Sequence, residues 1–163
     1  MHKVRVVSPT GTISTFAGTG DIGVDGAGGP ATQARIAYPT RVDVGPQFDV
    51  YFDYPHGMRH VNPAGTITSW PSMTSWCSSS SGCPGDGQPV VQRWIPDPDD
   101  MGVDSAGNLY VLVTMPVRSG LDFQWIRIVS ADGTLDTLRL SDGQYWSRCT
   151  RCNEGRAHAM AID

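Results

Sequence analysis

The sequence predicts an all-β protein built from a repeated four-stranded antiparallel unit, and three observations carry that prediction. The first is composition. With 19 glycines and 12 prolines in 163 residues, these two types make up about a fifth of the chain, against an average near 12%; such frequent punctuation favours short strands joined by turns. The second is a repeated hairpin: "VRVVSPTGTISTF" from Val4, "MRHVNPAGTITSW" from Met58 and "IRIVSADGTLDTL" from Ile126 share one pattern. The third is a strand pair that precedes two of these hairpins, "VDVGPQFDVYFDY" from Val42 and "MGVDSAGNLYVLV" from Met101.

Each hairpin segment reads apolar-Arg-x-Val, a turn closed by glycine, then Thr and an apolar residue. Arg5, Arg59 and Arg127 share one position, and Gly11, Gly65 and Gly133 another. Period-2 alternation on both sides of the glycine makes the segment a β-hairpin. The preceding pair supplies a short apolar strand, a turn and a stronger strand holding Tyr51 or Tyr110. The unit is therefore strands A and B followed by hairpin C–D. It recurs after 54 and then 68 residues, measured between the arginines, and four-stranded units of roughly this length read as propeller blades.

The predicted fold class is thus all-β, a partial β-propeller of four-stranded antiparallel blades with two whole blades and two partial ones. Residues 1–163 form a single segment, with blade parts at 1–18, 40–71, 98–140 and 156–163 and interblade links at 19–39, 72–97 and 141–155. The first part holds strands C and D only, and the closing "AMAID" matches strand A. Closed propellers need 4–8 blades, so the expectation is that the chain belongs to a longer polypeptide or that copies join around a common axis.

The first link, "FAGTGDIGVDGAGGPA", contains Gly18-x-Gly20-x-x-Gly23, the spacing of a dinucleotide fingerprint. That motif needs a helix to open directly after it and hold the pyrophosphate. Three more glycines and a proline follow instead, and they disfavour any helix start there by about 1 and 3 kcal/mol per residue. Each link carries an Asp-Gly pair, Asp25-Gly26, Asp86-Gly87 and Asp142-Gly143. A turn recurring in every link is repeat architecture, and no cofactor is expected.

The net charge is −4, with 12 basic and 16 acidic residues. There is no basic stripe to follow a nucleic acid backbone, and no apolar run of the length that spans a membrane. The four cysteines form two close pairs, Cys77/Cys83 and Cys149/Cys152, in Ser- and Gly-rich links. The spacing predicts a disulfide within each link and an oxidising compartment. Zinc held by four thiolates and free thiols are the alternatives.

The residues "AGTGDIGVDGAGGPATQARIAYPTRVDV" followed by "HGMRHVNPAGTITSW" resemble NHL-repeat β-propellers, in particular the bacterial extracellular and teneurin/Rhs-type subset. "MGVDSAGNLYVLV" is similar to the family's strand A–B segment. The resemblance extends over residues 4–70 and 97–140, and more thinly over 141–163. The link with Cys77 and Cys83 and the expanded connection "MPVRSGLDFQ" depart from the family pattern. Such motifs specify packing and leave function to the loops.

The resemblance implies that links and B–C connections gather at one end of the blades. That end would carry Trp76, Trp94, Tyr145, Trp146, His56 and Arg118 as candidate binding residues, together with all four cysteines. Tyr and Trp are common interface anchors, although they also fill the space between blades. His56, His60 and His158 fall at unlike blade positions, without metal-ligand spacing. The prolines of "PDPDD" break the alternate-ligand spacing of a calcium loop. No metal site and no catalytic residue is expected from these patterns.

The function expected from sequence is non-enzymatic: an extracellular, cell-surface or periplasmic binding module presenting propeller loops to a protein or glycan. One alternative is a structural protein whose incomplete propellers complete each other between copies. A second is a metal-dependent propeller lyase or hydrolase.

Overall fold

The computed structural model describes residues 2–55, 57–71, 86–90, 98–116, 122–138 and 147–149. Three antiparallel sheets account for nearly all of the regular structure. The first is a hairpin, β1 (His2–Val7) and β2 (Ile13–Gly20). The second is the meander β3 (Val42–Val44), β4 (Val50–Tyr54), β5 (Gly57–Val61) and β6 (Ile67–Pro71). The third comprises β7 (Gln88–Pro89), β8 (Pro98–Val103), β9 (Leu109–Pro116), β10 (Asp122–Val129), β11 (Thr134–Thr137) and β12 (Ser147–Cys149). Its core is the meander β8-β9-β10-β11, with β7 added outside β11 and β12 paired to β10. The described residues contain no α-helix; a 3-10 turn spans Ala31–Gln33. The chain is all-β: a partial β-propeller with two whole four-stranded blades and the outer hairpin of a third.

The same turn closes each C–D hairpin. Gly11 N donates to Ser8 O, Gly65 N to Asn62 O and Gly133 N to Ser130 O. The glycines have φ of 82°, 79° and 84°, a region that L-residues avoid because Cβ meets the backbone. This turn fixes the register, so that the repeated arginines lie opposite hydroxyl residues: Arg5↔Thr15, Arg59↔Ser69 and Arg127↔Thr137.

Alternation along the strands builds two cores. Val50, Phe52, Val61 and Ile67 face the first hairpin and pack with Ala17, Ala31, Ala34 and Ile36. Met58 and Trp70 face the other way and pack with Val90, Leu109, Val111, Val113, Trp125 and Leu135 of the last blade. The inner strands of the two whole blades are tied together where Val103 N donates to Asp43 Oδ2 at 2.7 Å.

The fingerprint glycines serve the strands. A Cβ on Gly18 would lie 2.5 Å from His2 O, so Gly18 is the residue that lets β1 pass, and no helix follows it.

The links pair differently from the Asp-Gly alignment. Gly28 N donates to Ile67 O at 2.7 Å, and Gly87 N to Leu135 O at 2.8 Å; Ala31 N donates to Gly65 O, and Val90 N to Gly133 O. Each of these two links thus runs along the outer edge of the blade that follows it. The structural counterpart of Asp86-Gly87 is Ala27-Gly28, not Asp25-Gly26. Strand β12 is also unexpected: its residues, read from sequence as link, extend the outer edge of β10, with Cys149 opposite Phe123.

Candidate functional site

His56, Trp76, Cys77, Cys83, Trp94, Arg118, Tyr145, Trp146 and Cys152 lie outside the described residues, and of Cys149 only the backbone is described, in β12. The loop site expected at the link end therefore has no geometry to report. The structure instead shows a cavity of about 420 Å³ between the two whole blades, at the end formed by the A–B and C–D turns.

One wall of the cavity comes from the first whole blade: Asp49, Tyr51, His60, Thr68 and Trp70. The others are residues 45–47 and 106–107 of the A–B turns, 129–133 of the C–D turn, and 89–90 of the link. Tyr51 and His60 are directly opposite in the β4–β5 ladder, and their rings stack with centroids 4.9 Å apart and planes 19° apart. The His60 ring in turn stacks on Trp70 at 5.5 Å and 28°. Stacking of this kind stabilises an aromatic pair by about 0.5–1.5 kcal/mol beyond burial.

His60 Nε2 donates to Asp49 Oδ1 at 2.5 Å. Both side chains remain about one-fifth exposed, at 19% and 22%, so they present polar atoms to the cavity. Burial pushes the Tyr51 hydroxyl up to about 12, and the Asp49 carboxylate adds to the shift. Tyr51 is therefore a neutral donor at physiological pH. Across the cavity stands Asp132, whose carboxyl is held below its usual range by hydrogen bonds from the backbone and side chain of Thr134. Among the described residues no lysine or arginine lines the cavity.

The opposite turn is braced by Asp104. Its carboxylate accepts from Ala106 N, Asn108 N, Asn108 Nδ2 and Tyr110 Oη at 2.8–3.2 Å. The Asn108 side chain, foremost among these donors, lowers its pKa. Asn108 Oδ1 then accepts from Ala131 N at 3.2 Å, joining the A–B turn to the C–D turn. Among the described residues no group of three His, Cys, Asp or Glu side chains is placed to hold a metal ion, and no helix is long and apolar enough to cross a membrane.

Tyr51 and His60 stand apart in the sequence pattern, one in strand B and the other in strand C. The signal was available in register: with Gly65 closing the hairpin, His60 and Trp70 fall on the same face as Tyr51.

Neither a protein-family model nor a curated protein matches the chain. Among solved structures, the chain is similar to the crystal structure of selenomethionine-substituted virginiamycin B lyase from Staphylococcus aureus, at 10% identity and a TM-score of 0.41. The match covers 99% of this chain and 53% of that one, so the chain spans about half the length of the lyase. That structure is of an enzyme, which overturns the expectation of a non-enzymatic class, and the expectation is withdrawn. A likeness at this identity and score assigns no activity to this chain.

Proposed function

We propose that this β-propeller segment is a binding module of NHL type, acting outside the cell or at its surface, and that the interblade cavity takes a neutral sugar residue of a glycan. The observation that carries the reading is the Tyr51–His60–Trp70 wall with Asp49 held on His60. A sugar ring has an apolar C–H face that suits an aromatic wall, and hydroxyls that need convergent donors and acceptors. Asp49, Tyr51, Thr68 and the polar turn residues of the lining carry such groups. The carboxylates of Asp49 and Asp132, with no cation among the described lining residues, disfavour an anionic ligand. The cavity volume suits one or two sugar residues.

The test is calorimetric titration with a panel of neutral mono- and oligosaccharides. Saturable binding is expected for at least one. It should weaken at least about tenfold, or 1.4 kcal/mol, in Tyr51→Ala and in Asp49→Ala, with circular dichroism showing both folded. Absence of binding across the panel, or binding unchanged in both variants, refutes the reading.

A further inference from the structure

The repeat places an arginine at the same point of each C strand, and the three differ in what they meet. Arg5 is exposed and donates to Thr15 Oγ1 at 2.6 Å. Arg127 is fully buried; its Nη1 donates to Asp86 Oδ1 at 2.6 Å and to Thr137 Oγ1, which itself donates to Asp86 Oδ1 at 2.8 Å. Arg59 is also fully buried, yet Nε, Nη1 and Nη2 all lack an acceptor, and Oγ of the facing Ser69 lacks a partner too. The face of the Tyr54 ring, 5.2 Å from the guanidinium carbon, and the Coulombic pull of the Asp25 carboxylate compensate the charge in part, and neither gives the guanidinium a hydrogen-bond acceptor. A guanidinium stays protonated in proteins, and a buried charge needs both a counter-charge and acceptors.

The cause is one position in the link. Where the last blade has Asp86, the ladder places Ala27. Asp25, two residues earlier, is drawn outward by Arg35, whose Nε and Nη2 donate to its two carboxylate oxygens at 2.8 and 2.9 Å. Turning Asp25 inward would break both bonds. Ala27 is exposed, and Asp86 itself keeps 16% of its side chain in solvent, so the place that a carboxylate fills in one blade borders water in the other.

We propose that this place is a carboxylate-binding site: a small monocarboxylate accepts hydrogen bonds from Arg59 and Ser69, as Asp86 accepts them from Arg127 and Thr137. The planar guanidinium fork matches a carboxylate in two-point geometry. The site lies on the face of β5 opposite the aromatic cavity and stands independently of the glycan reading.

The experiment follows the Arg59 side-chain Nε–H signal of the ¹⁵N-labelled chain by NMR during titration with sodium formate, with sodium fluoride as a control at equal ionic strength. Formate is expected to shift the signal saturably, and fluoride to leave it nearly unmoved. In Ala27→Asp, which supplies its own carboxylate at an exposed position, the signal should start displaced and no longer respond to formate. No saturable shift in the native chain, an equal response to fluoride, or an undiminished formate shift in Ala27→Asp overturns the proposal.

Discussion

Asp86→Ala should be the most damaging single substitution at the edge of the last blade. The change removes the acceptor of Arg127 Nη1 at 2.6 Å and of Thr137 Oγ1 at 2.8 Å, while Arg127 stays fully buried. Breaking a buried pair from one side costs about 3–5 kcal/mol. Asp86 retains 16% side-chain exposure, so water can partly replace it, and the low end, about 3 kcal/mol, is the expected loss. For a chain of 163 residues, each kcal/mol moves the midpoint by about 2–4 °C, which gives a fall of about 6–12 °C in a thermal melt followed by circular dichroism. Adding Arg127→Met should recover much of the loss, because the buried charge then leaves together with the carboxylate it faced. A fall under about 2 °C would refute the reasoning, since about 3 kcal/mol should move the midpoint at least three times as far. It would mean that the other interactions of Arg127 hold its charge in place without Asp86.

Three further outcomes are expected. Phe48 sits at φ 65° and is 77% exposed, in the turn position that Gly107 fills at φ 86° in the next blade; Phe48→Gly should stabilise the chain by about 0.5–1 kcal/mol, the left-handed strain relieved less the added chain entropy of glycine, read from the urea midpoint. Tyr51, raised from 10.0 to about 12 mainly by burial, contributes stability that is fully present below pH about 10 and lost as pH climbs through about 12, because the fold favours the neutral phenol; urea melts across that window should show the loss in the native chain and a smaller one in Tyr51→Phe. Leu109, fully buried between the two whole blades, should cost about 2–5 kcal/mol on truncation to alanine, and a midpoint unchanged in a thermal melt would contradict the packing.

The blade frame was legible because it rests on local chemistry. Gly11, Gly65 and Gly133 each supply a positive φ that few residues accept, and a turn of fixed length sets the whole C–D register. The links were less legible because they have no periodicity, and matching them by their Asp-Gly pairs misplaced the first by two residues. A length rule would have done better: Ala27 and Asp86 each lie 17 residues before the matching strand A positions Val44 and Val103. The cavity was not legible at all. It arises where turns of two successive blades face one another, and that adjacency is a property of blade packing rather than of either segment.

Internal repetition also separates what the frame needs from what it does not. At matched positions the two whole blades agree on turn, register and core, as the paired strands show. Among the positions where they differ, four in the first whole blade carry chemistry that the last blade does without. His60 and Trp70 stand where the last blade has Ile128 and Leu138, Asp49 where it has Asn108, and Ala27 where it has Asp86. Isoleucine and leucine at the first two positions evidently satisfy a blade, so packing alone does not call for a histidine bonded to a carboxylate or for an aromatic stack. Nor does packing call for a buried arginine stripped of its aspartate, since the next blade shows the closed arrangement within the same frame. Replacing polar and aromatic groups with the last blade's residues, His60→Ile and Trp70→Leu together, should therefore leave the fold intact while removing whatever the cavity binds. Loss of folding in that double variant would show instead that leucine cannot replace Trp70 in the core and that the frame, not a ligand, selected the stack.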